Sequence, residues 1–323
     1  MQSLTLYQID AFSNQVFGGN PAAVCILDQW LSDAQMQAIG NENNLAETAF
    51  VVPDKEHYHI RWFTPEVEVD LCGHATLAAA YVLKNILKIP QNPIHFSTQS
   101  KGELQVHQEG DWLYLNFPTD SIAPISPLEG AAQALGAVPS AYWKGETDFI
   151  ALLENETTVA HLKPDLSWIA QLGNRGLIVT APGDEVDFVS RFFAPQAGVD
   201  EDYVTGSAHT SLIPFWAKKL EKNKLSARQI SSRMGILDCE YLNERVRIGG
   251  QAQLYLKGEI YLPEAWKAAH LACASTARCL GSANNLASIK SKAFCWSLGM
   301  SASVIPCVSN GGWISIRMAP GKP

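Results

Sequence analysis

Lysine and arginine are scarce in this 323-residue chain, 24 against 32 acidic residues, and no run of them is longer than the pair Lys218–Lys219. A net charge of −8 without a basic patch argues against a surface built for nucleic acid or anionic lipid. Long apolar runs are also missing: no window reaches 18 uninterrupted apolar residues, the length that would suggest a membrane span. The N-terminus has no basic region and carries Asp10 inside its apolar pattern, so it reads as a first strand and not as a signal peptide. Seven cysteines, an odd number at irregular spacings with no CxxC pair, make neither a disulfide framework nor a zinc knuckle. GxGxxG, Walker A, GxSxG and HExxH signatures are all absent. The expectation is a soluble, cytoplasmic protein with reduced thiols, no cofactor, no resident metal and a small-molecule partner.

What is present is ordinary globular composition, 47% hydrophobic and 17% charged, in a chain long enough for two domains or one domain of two halves. Two helix starts stand out. The stretch DLCGHATLAAAYVL (70–83) enters a buried apolar helix through Cys72, Gly73 and His74. About 130 residues later DYVTGSAHTSLIPFW (202–216) repeats the arrangement with Thr205, Gly206 and Ser207.

The surrounding element order repeats as well. In the first copy Ser32 opens a capping box with Gln35, strands follow over 47–52 and 59–63, and Pro65 precedes Gly73 by 8 residues. In the second, Ser167 is expected to cap a short helix, strands follow over 176–181 and 188–193, and Pro195 precedes Gly206 by 11 residues. Each copy then closes in short strands, over 103–107 and 112–117 in the first and over 229–231, 245–249 and 252–256 in the second. The reading is an α/β (α+β) fold of two pseudo-symmetric halves, each a bent, mostly antiparallel sheet or barrel around a central apolar helix. The expected divisions are 1–118, 119–263 with its last strand returning to the first, and an atypical tail over 264–323. A helix is expected to begin at the box 126-SPLE-129, with Pro127 in its first turn.

A helix N-terminus presents unpaired N–H groups and about half a positive charge, and glycine there lets an anion approach closely. Two such ends facing one crevice would hold a carboxylate and a further oxygen. The alternative is that Gly73 and Gly206 only permit tight turns while His74 and Ser207 only cap helices; the repetition favours the site. An acid or base is then needed, and Glu47, at the mouth of an apolar strand, and Asp202, four residues before Gly206, are the candidates. The repeat puts Arg175 or Gly176 where Glu47 stands, so only one half supplies the acid. Cys72 precedes a helix start, where thiols can be activated, but its counterpart is Thr205, which argues against a two-thiol racemase. His57 and His59 share one face of a strand without an evident third metal ligand, and 200-DED-202 reads either as a cation site or as a solvated loop.

Taken together, 8-QIDAF-12, 19-GNPAAV-24, 44-NLAETAFV-51, 61-RWFTPEVEVDLCGHATLAAA-80 and 191-RFFAPQAGVDEDYVTGSAH-209 resemble the phenazine biosynthesis PhzF-like isomerase family, itself akin in structure to diaminopimelate epimerase. The likeness runs from the first strand to about Pro263. It implies an active site between the halves and a cofactor-independent isomerase in which the general acid/base is Glu47. His74 and Asp202 would be its polar partners, Ser207 and the backbone at Gly73 and Gly206 would bind substrate, and Asn20 would make a further contact. The implied substrate is a small carboxylate, and exposed strands leave room for a homodimer. The readings weighed against this are a non-catalytic carboxylate-binding protein and, less favoured, a racemase or epimerase.

Overall fold

The structure is a computed structural model that describes residues 2–263, all within one compact unit. The tail expected over 264–323 lies outside the described residues.

The chain opens with β1 (Gln2–Ala11) and β2 (Asn20–Ile26), then α1 (Asp33–Asn43), β3 (Glu47–Asp54), β4 (His57–Phe63) and the short β5 (Glu68–Val69). α2 (Gly73–Tyr81) follows and continues as a wider π turn over Val82–Ile86, before β6 (Ile94–Ser97), β7 (Glu103–Glu109) and β8 (Trp112–Pro118). Next come β9 (Ala123–Ile125), α3 (Ala131–Leu135), β10 (Ala141–Lys144), β11 (Asp148–Leu152), α4 (Glu156–His161) and α5 (Leu166–Ala170). The remainder is β12 (Gly176–Pro182), β13 (Phe188–Ala194), β14 (Val199–Asp202), α6 (Gly206–Leu220), β15 (Lys224–Gln229), β16 (Gly235–Tyr241), β17 (Arg245–Gly250) and β18 (Ala252–Leu262).

The duplication read from the sequence is written in the strand pairing. In the first half β1–β2 is antiparallel, β2–β3 parallel, β3–β4 antiparallel, β4–β6 parallel, and β6–β7 and β7–β8 antiparallel. In the second, β10–β11 is antiparallel, β11–β12 parallel, β12–β13 antiparallel, β13–β15 parallel, and β15–β16 and β16–β17 antiparallel. The two series are the same. The β8–β17 pairing joins the halves, β9 pairs with β10 within the second, and β18 returns to lie along β1 from Gln2↔Leu262 to Ala11↔Ala252.

Each half wraps its sheet around one helix. In α2 every residue from His74 to Ala80 is buried, and the alanines at 78–80 let the surrounding strands close in on all sides. α6 is longer and buries Leu212, Ile213 and Trp216, with Trp216 stacked on Phe188 of β13. Pro214 lies inside α6, where proline frees the carbonyl four residues earlier. That carbonyl, on Thr210, accepts the Asp120 N–H at 3.2 Å, and Ser211 Oγ donates to Asp120 Oδ2 at 2.6 Å, so the segment leaving the first half repairs the gap.

Several local expectations are corrected. The capping box at Ser32 and Gln35 forms as read. Its expected counterpart does not: Asp165, not Ser167, caps α5, its carboxylate accepting the Ser167 and Trp168 N–H groups with the stronger acceptor in place. Nor does a helix start at Ser126. α3 begins after Gly130, whose φ of 77° turns the chain, and the Glu129 carbonyl is taken by Trp168 Nε1–H instead. The strand expected over 229–231 lies earlier, over Lys224–Gln229. β16 was not anticipated, although it buries Gly235, Leu237 and Cys239 in alternation.

Candidate active site

The starts of α2 and α6 meet. A Cβ placed on Gly73 would stand 3.5 Å from Gly206 Cα, and one on Gly206 would stand 3.5 Å from Gly73 Cα with nothing else within 4 Å. Glycine at both positions keeps the ground before the two helix ends open. The N-cap residues are Cys72 and Thr205, and neither side chain caps its helix, so the first-turn N–H groups are left for another acceptor. His74 and Ser207 are second residues of their helices and do not cap them, which removes that alternative.

Around this junction the expected residues converge. Glu47, the first residue of β3, places Oε2 3.1 Å from His74 Nε2. The contact has the distance of an ion pair but not the alignment of a hydrogen bond, and neither atom has another hydrogen-bond partner. Distance decides the charge interaction, and alignment leaves both atoms free to bond to something else. Glu47 keeps 18% of its side chain accessible against 6% for His74, so the carboxylate fronts the cleft and the imidazole stands behind it.

Asn20, fully buried, knits the halves together. Its Nδ2 donates to Asp202 Oδ1 at 2.7 Å and to the Val204 carbonyl at 3.0 Å. Those two acceptors use both amide hydrogens and fix the amide's orientation, so the nearby His74 Nδ1, at 3.3 Å, receives nothing from it. Asn20 Oδ1 is consequently buried without a partner. Asp202 Oδ2 accepts the Thr205 hydroxyl at 2.6 Å, and Gln229 clamps the turn, Nε2 donating to the Asp202 carbonyl at 2.8 Å while Oε1 accepts the Thr205 N–H at 2.8 Å.

These surroundings shift proton affinities. At His74 burial opposes the imidazolium, but the contacts with the Cys72 side chain and the charge of the Glu47 carboxylate outweigh it and raise the pKa well above the usual 6.5. Asp202, only half-buried as a residue but with its carboxylate turned onto Thr205 and Asn20, is raised by burial and by Glu47 against the lowering effect of His74 and its hydrogen bonds. Burial pushes the Cys72 thiol up to about 11, so it is protonated at neutral pH. Glu47, Cys72 and His74 each bring one donor atom within 4.8 Å of the others, a set that fits a metal only if the thiol is first deprotonated against that shift.

Two site residues escaped the sequence reading as functional groups. Arg175, just before β12, donates through Nη2 to Ser207 Oγ at 3.0 Å and holds the buried Asp148 carboxylate through Nε at 3.0 Å and through Nη2. It lies one residue before Gly176, the position that the strand register makes equivalent to Glu47, and the repeat marks both residues. Gln229 had no such signal, since only the fold brings β15 behind Thr205. The acidic run is taken apart: Glu201 pairs with Arg191 at 2.7 Å while Asp202 turns inward. A groove of about 630 Å³ between β9, α3 and β10 is lined mainly by apolar residues such as Ile125, Leu128 and Trp143.

Comparison with known proteins bears on family and fold. The family model described as phenazine biosynthesis-like protein matches residues 9–258. A Pseudomonas aeruginosa protein described as an uncharacterised isomerase is 50% identical over 259 residues, 80% of this chain and 99% of its own. A crystal structure of a phenazine biosynthesis PhzF family protein from Enterococcus faecalis superposes with a TM-score of 0.79 at 48% identity, covering 81% of this chain and all of that one. A hydroxyproline epimerase from Agrobacterium vitis, 10% identical with a TM-score of 0.52 over 80% of this chain and 91% of its own, shares the fold alone.

Proposed function

The chain belongs to the phenazine biosynthesis-like protein family and is an isomerase; from that premise we propose that it moves a proton within a small carboxylate, with Glu47 as the single acid/base. The observation that carries this reading is the group of buried polar atoms without partners, Glu47 Oε2, His74 Nε2 and Asn20 Oδ1, gathered where two uncapped helix ends meet. Buried polar atoms are ordinarily satisfied, so atoms left open in one place point to a ligand that completes them.

In the proposed step the Glu47 carboxylate takes a proton from a substrate carbon conjugated to a carboxylate. The electron pair of the broken C–H bond moves into the conjugated system and onto oxygen. The N–H groups at Gly73 and Gly206 stabilise that developing negative charge, while the His74 imidazolium behind Glu47 orients its carboxylate and relays the proton. Glu47, now protonated, returns the proton to another carbon on the same face, so the substrate is isomerised with no net change in composition. Asp202 and Asn20 fix the height of the cleft, and Arg175 orients Ser207. A two-thiol racemase is disfavoured because Cys72 holds its proton to about pH 11 and its counterpart is Thr205.

The test is incubation in D2O with a panel of small cyclic and unsaturated carboxylic acids, read by mass spectrometry and NMR. Deuterium at a carbon conjugated to the carboxylate, with a shifted double bond, is expected. Binding detected by thermal shift without any deuterium entry would instead support a carboxylate-binding protein, and deuterium at an inverted stereocentre an epimerase.

A further inference from the structure

Away from the cleft, the outer face of the first half gathers a second set of metal-ligating side chains. The sequence places His57 and His59 on one face of β4 and offers no third ligand. The strand order supplies it. β4 runs parallel to β6 with Tyr58 opposite Phe96 and His59 opposite Ser97, which sets His57 beside His95. β6 runs antiparallel to β7 with Ser97 opposite Glu103, which sets Glu103 diagonal to His95. Side chains alternate along a strand, so with Tyr58 and Phe96 in the core, His57, His95 and Glu103 share the opposite face.

On that face the three groups converge. His95 Nδ1 contacts Glu103 Oε1, His57 Nδ1 lies 3.9 Å from the same oxygen, and the two imidazole rings meet edge to face with centroids 5.2 Å apart. One ligand atom from each lies within 4.8 Å of the others, a separation that rotation of exposed side chains closes. An ion pair would need only one imidazole near the carboxylate, whereas here two imidazole nitrogens lie within 3.9 Å of one oxygen and make a three-donor set. Beside it His59 Nε2 stands 3.4 Å from Asp54 Oδ2, which adds a second carboxylate and makes the patch favourable to a dication.

We propose that His57, His95 and Glu103 form a site for a borderline divalent transition metal such as Zn2+, tying β4 to β6 and β7. Two imidazoles and a carboxylate are the donor types that zinc takes, with a fourth position left for water, while calcium and magnesium prefer oxygen throughout. The site has a structural consequence. The β4–β6 junction rests on just two residue pairs, and a metal held by one residue from each of three strands reinforces it where it is shortest. Because the three donors come together only when these strands are paired, the metal binds the folded state and stabilises it.

Full-length protein stripped of metal is titrated with ZnCl2 near neutral pH by equilibrium dialysis, alongside a His57→Ala/His95→Ala double variant, Glu103→Gln and Cys72→Ser. Zinc taken up by cysteines beyond residue 263 is common to all four. Wild type and Cys72→Ser are expected to bind one equivalent more than the double variant. Glu103→Gln should weaken that equivalent by more than about tenfold, since loss of even an outer-shell partner of a ligand costs about that much. Zinc should raise the Tm of wild type more than that of the double variant. Equal zinc uptake by wild type and the double variant overturns the proposal. Loss of the equivalent in Cys72→Ser also overturns it, by moving the metal to the helix-start cluster.

Discussion

His74 is the residue whose state most constrains the chemistry. Burial opposes its charge and the negative groups beside it restore it, and since Cys72 holds its proton at neutral pH, Glu47 is the partner that remains. The imidazole of His74, followed by NMR, should therefore stay protonated well above pH 6.5, and Glu47→Gln should pull its titration down to or below 6.5. Because its folded pKa lies above 6.5, its contribution to stability is complete below that pH and is lost as pH rises through the folded value. A wild-type His74 that titrates at or below 6.5 would contradict this pairing. His209 has the opposite sign. Burial outweighs its hydrogen bond to the Thr205 carbonyl and depresses it to about 4, so the folded state is penalised as pH falls from 6.5 toward 4. That penalty reaches about 3 kcal/mol at 1.36 kcal/mol per pH unit. His209→Gln should flatten the acid limb of urea-unfolding stability across that window; an unchanged limb would place the acid sensitivity elsewhere.

At the scale of elements the two glycine-led helix starts carry the account. Gly206→Ala adds a methyl whose nearest neighbour is Gly73 Cα at 3.5 Å, ordinary contact distance, with open cleft beyond it. The variant should fold with a Tm equal to or slightly above wild type, since alanine restricts the unfolded chain more than glycine by about 0.5 kcal/mol. Substrate should bind about tenfold more weakly or worse, a loss of roughly 1.4 kcal/mol, because the methyl occupies the approach to the helix end. A stable variant with unchanged KM would remove the helix end from the site. This is also the scale at which the sequence was most and least legible. The apolar helices behind Gly73 and Gly206, the strands at 47–52 and 176–181 and the Ser32 cap followed from periodicity and side-chain chemistry that act within a few residues. The Asp165 cap and the turn at Gly130 were missed because several acceptors compete for one helix end, and the choice depends on Trp168 reaching Glu129 from another element. Gln229 was invisible because its partners, Asp202 and Thr205, are brought to it only by the packing of α6 on β15.

At the scale of the whole molecule, a duplicated strand pattern makes two equivalent positions and fills them differently: Glu47 beside one helix start, and Gly176, with Arg175 next to it, beside the other. The cleft between them depends on contacts that cross the halves. Arg233 pairs with the buried Asp10 at 2.8 Å and donates to the Gly19 carbonyl at 3.0 Å, fixing the turn that presents Asn20. Arg233→Ala leaves Asp10 buried without its counter-ion and should cost about 3 kcal/mol in urea unfolding. Turnover should fall with it, since Asn20 loses its support; a variant as stable and active as wild type would show that the turn holds itself. The last strand, expected to return to the first, does so as β18 running back along β1 for ten residues, while its register, with a shift between Gln8 and Ile9, leaves no local mark in the sequence.

The central claim is that one carboxylate, Glu47, carries the proton. The direct measurement is the rate of deuterium exchange into a bound, exchange-competent acid in D2O, compared between wild type and Glu47→Gln, with affinity for the acid measured on both. The account predicts that Glu47→Gln binds the acid and keeps its fold while exchange falls by about a hundredfold or more, the usual weight of a positioned acid/base. Exchange at the wild-type rate in Glu47→Gln would contradict it and give the proton transfer to another group.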